Sequence, residues 1–252
     1  MNTDKSAVFS KVPEVTLVFW ILKILATTLG ETGGDAVSMS MNLGYLVGTA
    51  IFAVIFFAAV GVQISAKKFH PVIYWVTIVA TTTVGTTLAD FADRSLGIGY
   101  AGGTAILLTL LLASLFIWYR TMGSVAVDTV NSPKSEAFYW MTIMFSQTLG
   151  TALGDWTADT QALGYSGGIV VFGTVLAVIA AAFFWTKISR TVLFWAAFIL
   201  TRPLGAVLGD FMDKPTAEGG LALSRYSASA ALFLAMLFFI LAFSHKPAQR
   251  TH

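Results

Sequence analysis

Long apolar stretches, each broken by polar residues at only a few regularly spaced positions, dominate this chain. A helix needs about 20 predominantly apolar residues to cross the hydrocarbon core of a bilayer. Eight segments meet that requirement: 15–36, 44–64, 72–91, 100–119, 136–156, 165–185, 191–211 and 225–243. An even number of spans puts both ends of the chain on one side. Lys5, Lys11, Lys67, Lys68, Arg120, Lys134, Lys187, Arg190, Lys246 and Arg250 lie at the ends and in the loops after the second, fourth and sixth spans, whereas the opposite loops hold only Arg94, Lys214 and Arg225. Positive charge marks the cytoplasmic side, so both termini are expected there. Tyr45, Tyr100, Tyr165 and Tyr226 open the even spans on the outer side, and Trp20, Trp75, Trp118, Trp140, Trp185 and Trp195 lie towards the inner one. Interfacial anchoring is the expected role of these rings. The first apolar stretch lacks a small-residue cleavage site and carries Lys23, so it is expected to be a retained helix.

The odd spans are copies of one another: WILKILATTLGETGGD (20–35), WVTIVATTTVGTTLAD (75–90), WMTIMFSQTLGTALGD (140–155) and WAAFILTRPLGAVLGD (195–210). Trp, Gly and Asp recur at fixed offsets in all four. Three copies place a Tyr ten residues after the Asp, and the fourth carries a six-residue insertion around Lys214–Gly219. The copies start 55, 65 and 55 residues apart, so the chain also divides into two halves offset by 120.

This pattern resembles a bacterial membrane-protein family of four tandem repeats, each a pair of transmembrane helices with a characteristic Trp. The resemblance covers about residues 14–243. It implies an eight-helix protein of the bacterial inner membrane and brings no activity with it.

Because each repeat holds two spans, the repeats are parallel and a pseudo-symmetry axis runs along the membrane normal. The expected fold is an all-α transmembrane bundle of eight helices, a single domain over 1–252. Its repeats cover about 14–64, 72–119, 136–185 and 191–243. Positions four apart share a helix face, and on one face the odd spans read Lys23, Thr27, Glu31, Asp35; Ile78, Thr82, Thr86, Asp90; Ile143, Gln147, Thr151, Asp155; and Phe198, Arg202, Ala206, Asp210. Lipid cannot satisfy such groups, and an ionisable residue mid-membrane costs ~3 kcal/mol or more. The stripes therefore face one another in an inner polar ring of odd helices, which glycines such as Gly30, Gly85, Gly150 and Gly205 allow to approach closely.

Two readings stand for the four Asp residues: an acidic outer vestibule, or helix-end anchors that hydrogen-bond the outer turn. Asp93, Asp159 and Asp213 add charge to the same rim and read as solvated loop residues. Lys23, Glu31 and Arg202 break the repeat symmetry. They mark either a specialised site or an internal ion pair, such as Glu31 with Arg202, that fixes helix register. Pro203 removes a backbone donor and frees a carbonyl near residue 199.

Composition narrows the chemistry. Only 11 % of residues are charged, against ~25 % in a soluble domain, and net charge is +2. A charge so small and so spread out gives no nucleic-acid footprint. There is no Cys, and His70, His245 and His252 flank the spans, so thiolate and intramembrane His ligands are excluded. No phosphate loop, Ser/His/Asp or HExxH arrangement occurs, so no enzyme activity and no cofactor is expected. The expected function is a transporter or permease for a hard cation such as Mg²⁺ or Mn²⁺, or for protons. Its route runs through Lys23, Thr27, Glu31, Asp35, Thr82, Thr86, Asp90, Gln147, Thr151, Asp155, Arg202 and Asp210. Glu31, Asp35, Asp90, Asp155 and Asp210 are its candidate metal ligands, and Glu31 exchanges a proton with Lys23 or Arg202. The competing expectation is a scaffold or sensor subunit whose polar core only specifies packing.

Overall fold

The computed structural model describes residues 10–160 and 163–249. Lys5, Arg250 and His252 lie outside the described residues. Eight long helices form: α1 (Leu17–Asp35), α2 (Gly44–Ser65), α3 (Pro71–Asp90), α4 (Tyr100–Met122), α5 (Pro133–Asp155), α6 (Gly164–Trp185), α7 (Arg190–Asp213) and α8 (Arg225–Ala242). Each falls within a few residues of an expected span. Local chemistry sets several ends. Thr16 caps α1 by accepting from the Phe19 N–H. Pro71 and Pro133 open α3 and α5 where a missing N–H costs nothing, and Ser132 with Ser135 forms a reciprocal cap on α5. After α1, α3 and α5 a π-turn follows the repeated Asp (Ala36–Ser40, Phe91–Ser95, Trp156–Thr160). In the fourth repeat α7 runs on to Asp213 instead, unbroken through Pro203, and the insertion adds a 3₁₀ turn over Thr216–Glu218.

The four odd helices close a ring in the order α1, α3, α5, α7, with α7 returning to α1. Each even helix packs on the outside of the odd helix of the following repeat: α2 on α3, α4 on α5, α6 on α7, and α8 on α1. This domain-swap-like stagger ties every repeat to the next. It explains why no repeat need fold alone, since each buries its neighbour's apolar face. Only 11 % of the most apolar windows of α2, α6 and α8 is buried, against 72 % for α3 and 67 % for α7. Six helices, α2, α3, α4, α6, α7 and α8, are long and apolar enough to cross a membrane, which makes this a multi-pass membrane protein. Helices α1 and α5 have similar length but more polar residues, among them Lys23, Thr27, Glu31, Ser146, Gln147 and Thr151, all of them buried. Polarity that would forbid contact with lipid is spent inside the ring.

The Trp residues correct an expectation. Trp75, Trp118, Trp140 and Trp195 are buried inside the bundle and Trp20 is half-buried; only Trp185, 85 % exposed, has the accessibility of an interfacial anchor. Tyr165 is likewise buried and Tyr45 and Tyr100 half-buried, leaving Tyr226 as the exposed member of the tyrosine set. The residue before each repeated Trp is also aromatic, and the eight rings form a closed wheel. Phe19 touches Trp75 of the next repeat, Tyr74 touches Trp140, Tyr139 touches Trp195 and Phe194 returns to Trp20, with ring centroids 5.5–6.2 Å apart. The Tyr74 and Tyr139 hydroxyls share a hydrogen bond of 2.6 Å. Pairs of this kind contribute ~0.5–1.5 kcal/mol each beyond burial, so the wheel seals this end of the ring.

Both described ends of the chain lie beside that seal. Val12 accepts from the Ala248 N–H at 2.8 Å, and the Glu14 N–H donates to Lys246 at 2.8 Å. Lys11 is not a free surface charge, because its ammonium pairs with Glu136 at 2.6 Å and donates to the Ile64 carbonyl, the second of these at 2.9 Å.

Candidate functional site

Alignment of the repeats arranges the inner stripe in four levels, and each level has its own chemistry. Small residues set the spacing. In the second level Thr82 sits on Gly30 of α1, Gln147 on Gly85 of α3, Arg202 on Gly150 of α5 and Thr27 on Gly205 of α7. Each of these residues thus nests against the glycine of the preceding repeat. A Cβ at Gly85 would stand 3.0 Å from the Gln147 Cβ and from the Thr148 backbone nitrogen, so the ring has no room for larger residues there.

Arg202 is the hub. It is fully buried, and one nitrogen, Nη2, reaches three other repeats. It lies 2.8 Å from Glu31 Oε2 on α1, 2.6 Å from Thr86 Oγ1 on α3 and 2.5 Å from Thr151 Oγ1 on α5. The sequence explains the reach. Glu31, Thr86 and Thr151 are third-level residues, and the third-level residue of the fourth repeat is Ala206, also fully buried. A methyl group in place of a polar side chain leaves room for the guanidinium to rise from the level below. Thr86 in turn donates to the Gly30 carbonyl at 3.2 Å. The Glu31–Arg202 pair expected from the sequence is therefore formed, within a network that spans the whole ring.

Of the two readings of the four Asp residues, the fourth level does not have the form of an open acidic vestibule. Asp35, Asp90, Asp155 and Asp210 are all buried and are held in pairs by two cations. Arg94 lies 3.0 Å from Asp90 and 3.0 Å from Asp155. Lys214 lies 2.8 Å from Asp35 and 3.0 Å from Asp210. Each cation stands four residues after one Asp and bridges it to the Asp of the next repeat. Burial would lower the Lys214 ammonium, but Asp210, Asp35 and Asp213 more than offset this and hold it above the usual lysine range. The insertion delivers that lysine: the Leu221 and Leu223 N–H groups donate to Phe211 and Met212, folding the added loop back over α7. Asp93 and Asp213 are buried, not solvated. Asp213 pairs with Arg225 at 2.9 Å, and Arg225 also approaches Asp35 at 3.7 Å. Asp159 is the more exposed of the rim acids and accepts from Tyr100 at 2.9 Å.

Carboxylates crowd between the third and fourth levels. Glu31, Asp155 and Asp210 offer one oxygen each, all within 4.8 Å of one another, and Asp35, Asp210 and Asp213 form a second such trio. Oxygen donors at this spacing suit a hard cation or a shared proton. Of the expected metal ligands, Asp90 falls outside both trios and serves the Arg94 clamp alone. At the first level, Lys23 is fully buried with its ammonium 4.2 Å from the centre of the Phe198 ring. Thr27 is satisfied by backbone carbonyls, donating to Lys23 at 3.0 Å and to Thr201 across the α1–α7 contact at 3.3 Å. The carbonyl that Pro203 frees is that of Ile199, four residues before it, so the Thr201 carbonyl accepts across the helix contact for a different reason.

Sequence reasoning missed Arg94, Lys214 and the aromatic partners Phe19, Tyr74, Tyr139 and Phe194. All carried a signal, an i+4 spacing from Asp90 and Asp210 in the first case and an aromatic residue before each repeated Trp in the second.

Comparison with known proteins gives one match. A family described as a repeat of unknown function (DUF347) matches four times, at residues 18–69, 73–124, 138–189 and 193–249. No curated protein and no solved structure matches the chain.

Proposed function

The chain belongs to this four-repeat family, and from the site it carries we propose that it is a transporter or permease of the bacterial inner membrane that accepts a small hard cation or protons. The Glu31, Asp155 and Asp210 trio is the observation that carries this reading. With the Asp213–Arg225 pair set aside, five carboxylates (Glu31, Asp35, Asp90, Asp155, Asp210) face three cations (Arg94, Arg202, Lys214). Two uncompensated negative charges in a low-dielectric interior are strongly unfavourable. A divalent cation or two protons restores balance. Oxygen ligands without His or Cys favour Mg²⁺ or Mn²⁺ among metals.

The same geometry links binding to the ring. Arginine side chains stay charged in proteins, so the carboxylates are the groups that take up protons. A cation or proton on Glu31 competes with Arg202 for the same oxygen. It thereby loosens the one side chain that ties α7 to α1, α3 and α5. Both termini would be cytoplasmic, with the aromatic wheel at the inner end and the Asp clamps at the outer end.

The test is flux into proteoliposomes holding a Mn²⁺-sensitive or a pH-sensitive dye. Wild type should carry one of the two, and Glu31→Gln should lower the rate at least about tenfold, the scale of one lost charge-assisted contact. Absence of both fluxes from folded, correctly inserted protein would reject the proposal. The second reading, a scaffold, draws on the Arg202 hub and the two clamps as pure fasteners. It requires that a folded Glu31→Leu/Arg202→Leu protein keep its biological function.

A further inference from the structure

The lower half of the polar column has the opposite chemistry to the upper half. Several of its buried side-chain donors have no acceptor. Lys23 Nζ, Thr82 Oγ1, both side-chain polar atoms of Gln147, and Nε and Nη1 of Arg202 are buried without a hydrogen-bond partner. All four residues are fully buried. They come from four different repeats and occupy the first and second levels of one inner stripe. Thr82, Gln147 and Arg202 share the second level, and Lys23 lies one level beneath, its ammonium facing the Phe198 ring.

A buried donor without an acceptor costs ~1–3 kcal/mol, and more when charged. Several such donors at adjacent levels of four separate helices are not a packing accident of one side chain. Charge points the same way. Lys23 and Arg202 are the cationic residues of these levels, and Arg202 already engages Glu31 through Nη2 while Lys23 pairs with no carboxylate among the described residues. The Lys23 amino group and the remaining edge of the guanidinium are left over. A hydroxyl, an amide N–H₂, a guanidinium edge and an ammonium together make a cage for an acceptor that carries one negative charge.

We propose that Lys23, Thr82, Gln147 and Arg202 form a binding site for a small monovalent anion, a halide or a short carboxylate, one level beneath the cation-accepting acids. The site goes beyond the transport reading and does not depend on it: the anion contacts donors only, and no carboxylate of the upper trio takes part. With both filled, the column holds an anion and a cation on opposite sides of Arg202.

The test is a thermal-unfolding titration of purified protein in a neutral detergent. Chloride and formate replace gluconate at constant ionic strength, and equilibrium dialysis with radiolabelled chloride serves as the direct binding readout. Saturable stabilisation by chloride or formate is expected, with bound chloride approaching one per chain. Lys23→Met and Gln147→Leu should each weaken it about tenfold or more, as the loss of one hydrogen bond to a charged group implies. Asp155→Asn, which alters the upper trio and the Arg94 clamp but no residue of the anion site, should leave the anion affinity intact, so failure here and failure of cation transport are separable. If Lys23→Met does not fold, Gln147→Leu and Thr82→Val carry the test. The proposal is overturned if stability follows ionic strength alone and no chloride is retained. It is also overturned if saturable binding survives unchanged in the folded variants.

Discussion

Arg94 and Lys214 stand 120 residues apart and make the same contact. Each pairs with the Asp four residues behind it and with the Asp of the following repeat. The first and third repeats have Met39 and Asp159 at that position, so the outer end of the ring is two-fold where the backbone is four-fold. The clamps join α3 to α5 and α7 to α1. In the inner levels Arg202 links α7 by hydrogen bonds to its neighbour α5 and across the ring to α3.

Removing a clamp leaves two buried carboxylates facing each other. Lys214→Met should lower stability by ~3–5 kcal/mol, the cost of stranding buried charge. Arg94→Met should cost less, because the Arg94 side chain is 33 % exposed and water replaces part of what is lost. Adding Asp35→Asn to Lys214→Met should recover part of the loss. Thermal unfolding in detergent reads all three, and an unchanged midpoint in Lys214→Met would refute the clamp.

The lysine clamp also has a definite pH signature. A folded-state pKa raised above the ordinary lysine value stabilises fully below that value, about 10.4, and the contribution is lost only as pH climbs through the higher folded value. The stability difference between wild type and Lys214→Met should therefore not shrink between about pH 7 and about pH 10, and it grows wherever the stranded carboxylates ionise. A difference that disappears on raising the pH across that window would contradict the assignment.

Glycine positions separate contact from open surface. A Cβ at Gly209 would lie 2.7 Å from the Glu31 Cβ, and one at Gly154 2.9 Å from the Ala206 Cβ, whereas Gly33 and Gly61 have nothing within 4 Å. Gly209→Ala and Gly154→Ala should each cost ~1–3 kcal/mol by overpacking. Gly33→Ala and Gly61→Ala should be neutral or stabilising by up to ~1 kcal/mol through helix propensity. Equal effects at all four sites would reject the close-packed ring.

The aromatic wheel predicts a contrast between similar residues. Trp75→Ala should cost ~3–5 kcal/mol as a core truncation, while Trp185→Ala, on an 85 % exposed side chain, should change stability little. Tyr74→Phe leaves the Tyr139 hydroxyl without its partner, so it should destabilise more than the Tyr74→Phe/Tyr139→Phe pair does. Unfolding midpoints of the four variants decide the point.

These contrasts show what the sequence reveals and what it hides. Spans, the inner ring of odd helices and the four levels are legible because the repeats align residue for residue, and alignment of parallel helices is alignment in depth. Trp75 is misread as an anchor because a Trp near a span end has the same position in sequence whether it faces lipid or the bundle axis. The signal that separates the two is the second aromatic before it, Tyr74, which lipid contact does not require. Arg94 and Lys214 read as outer-loop charges because their partners lie partly on another repeat. Their i+4 spacing from Asp90 and Asp210 exposes half of each clamp and only the fold supplies the rest. Arg202 as a hub depends on Ala206, a residue whose importance lies in its small size.

The proposal that the buried acids take up a cation is tested most directly by equilibrium binding of Mn²⁺ to purified protein. Wild type should bind saturably, and Mg²⁺ should compete. Asp155→Asn/Asp210→Asn, which strips two oxygens from the trio within 4.8 Å, should bind at least about a hundredfold more weakly, since two charged ligands are lost. Proton uptake in place of metal binding would show as pH-dependent competition at the same residues. Wild type that binds no Mn²⁺ and takes up no protons differently from the double variant would contradict the account, leaving the acids as fasteners of the ring.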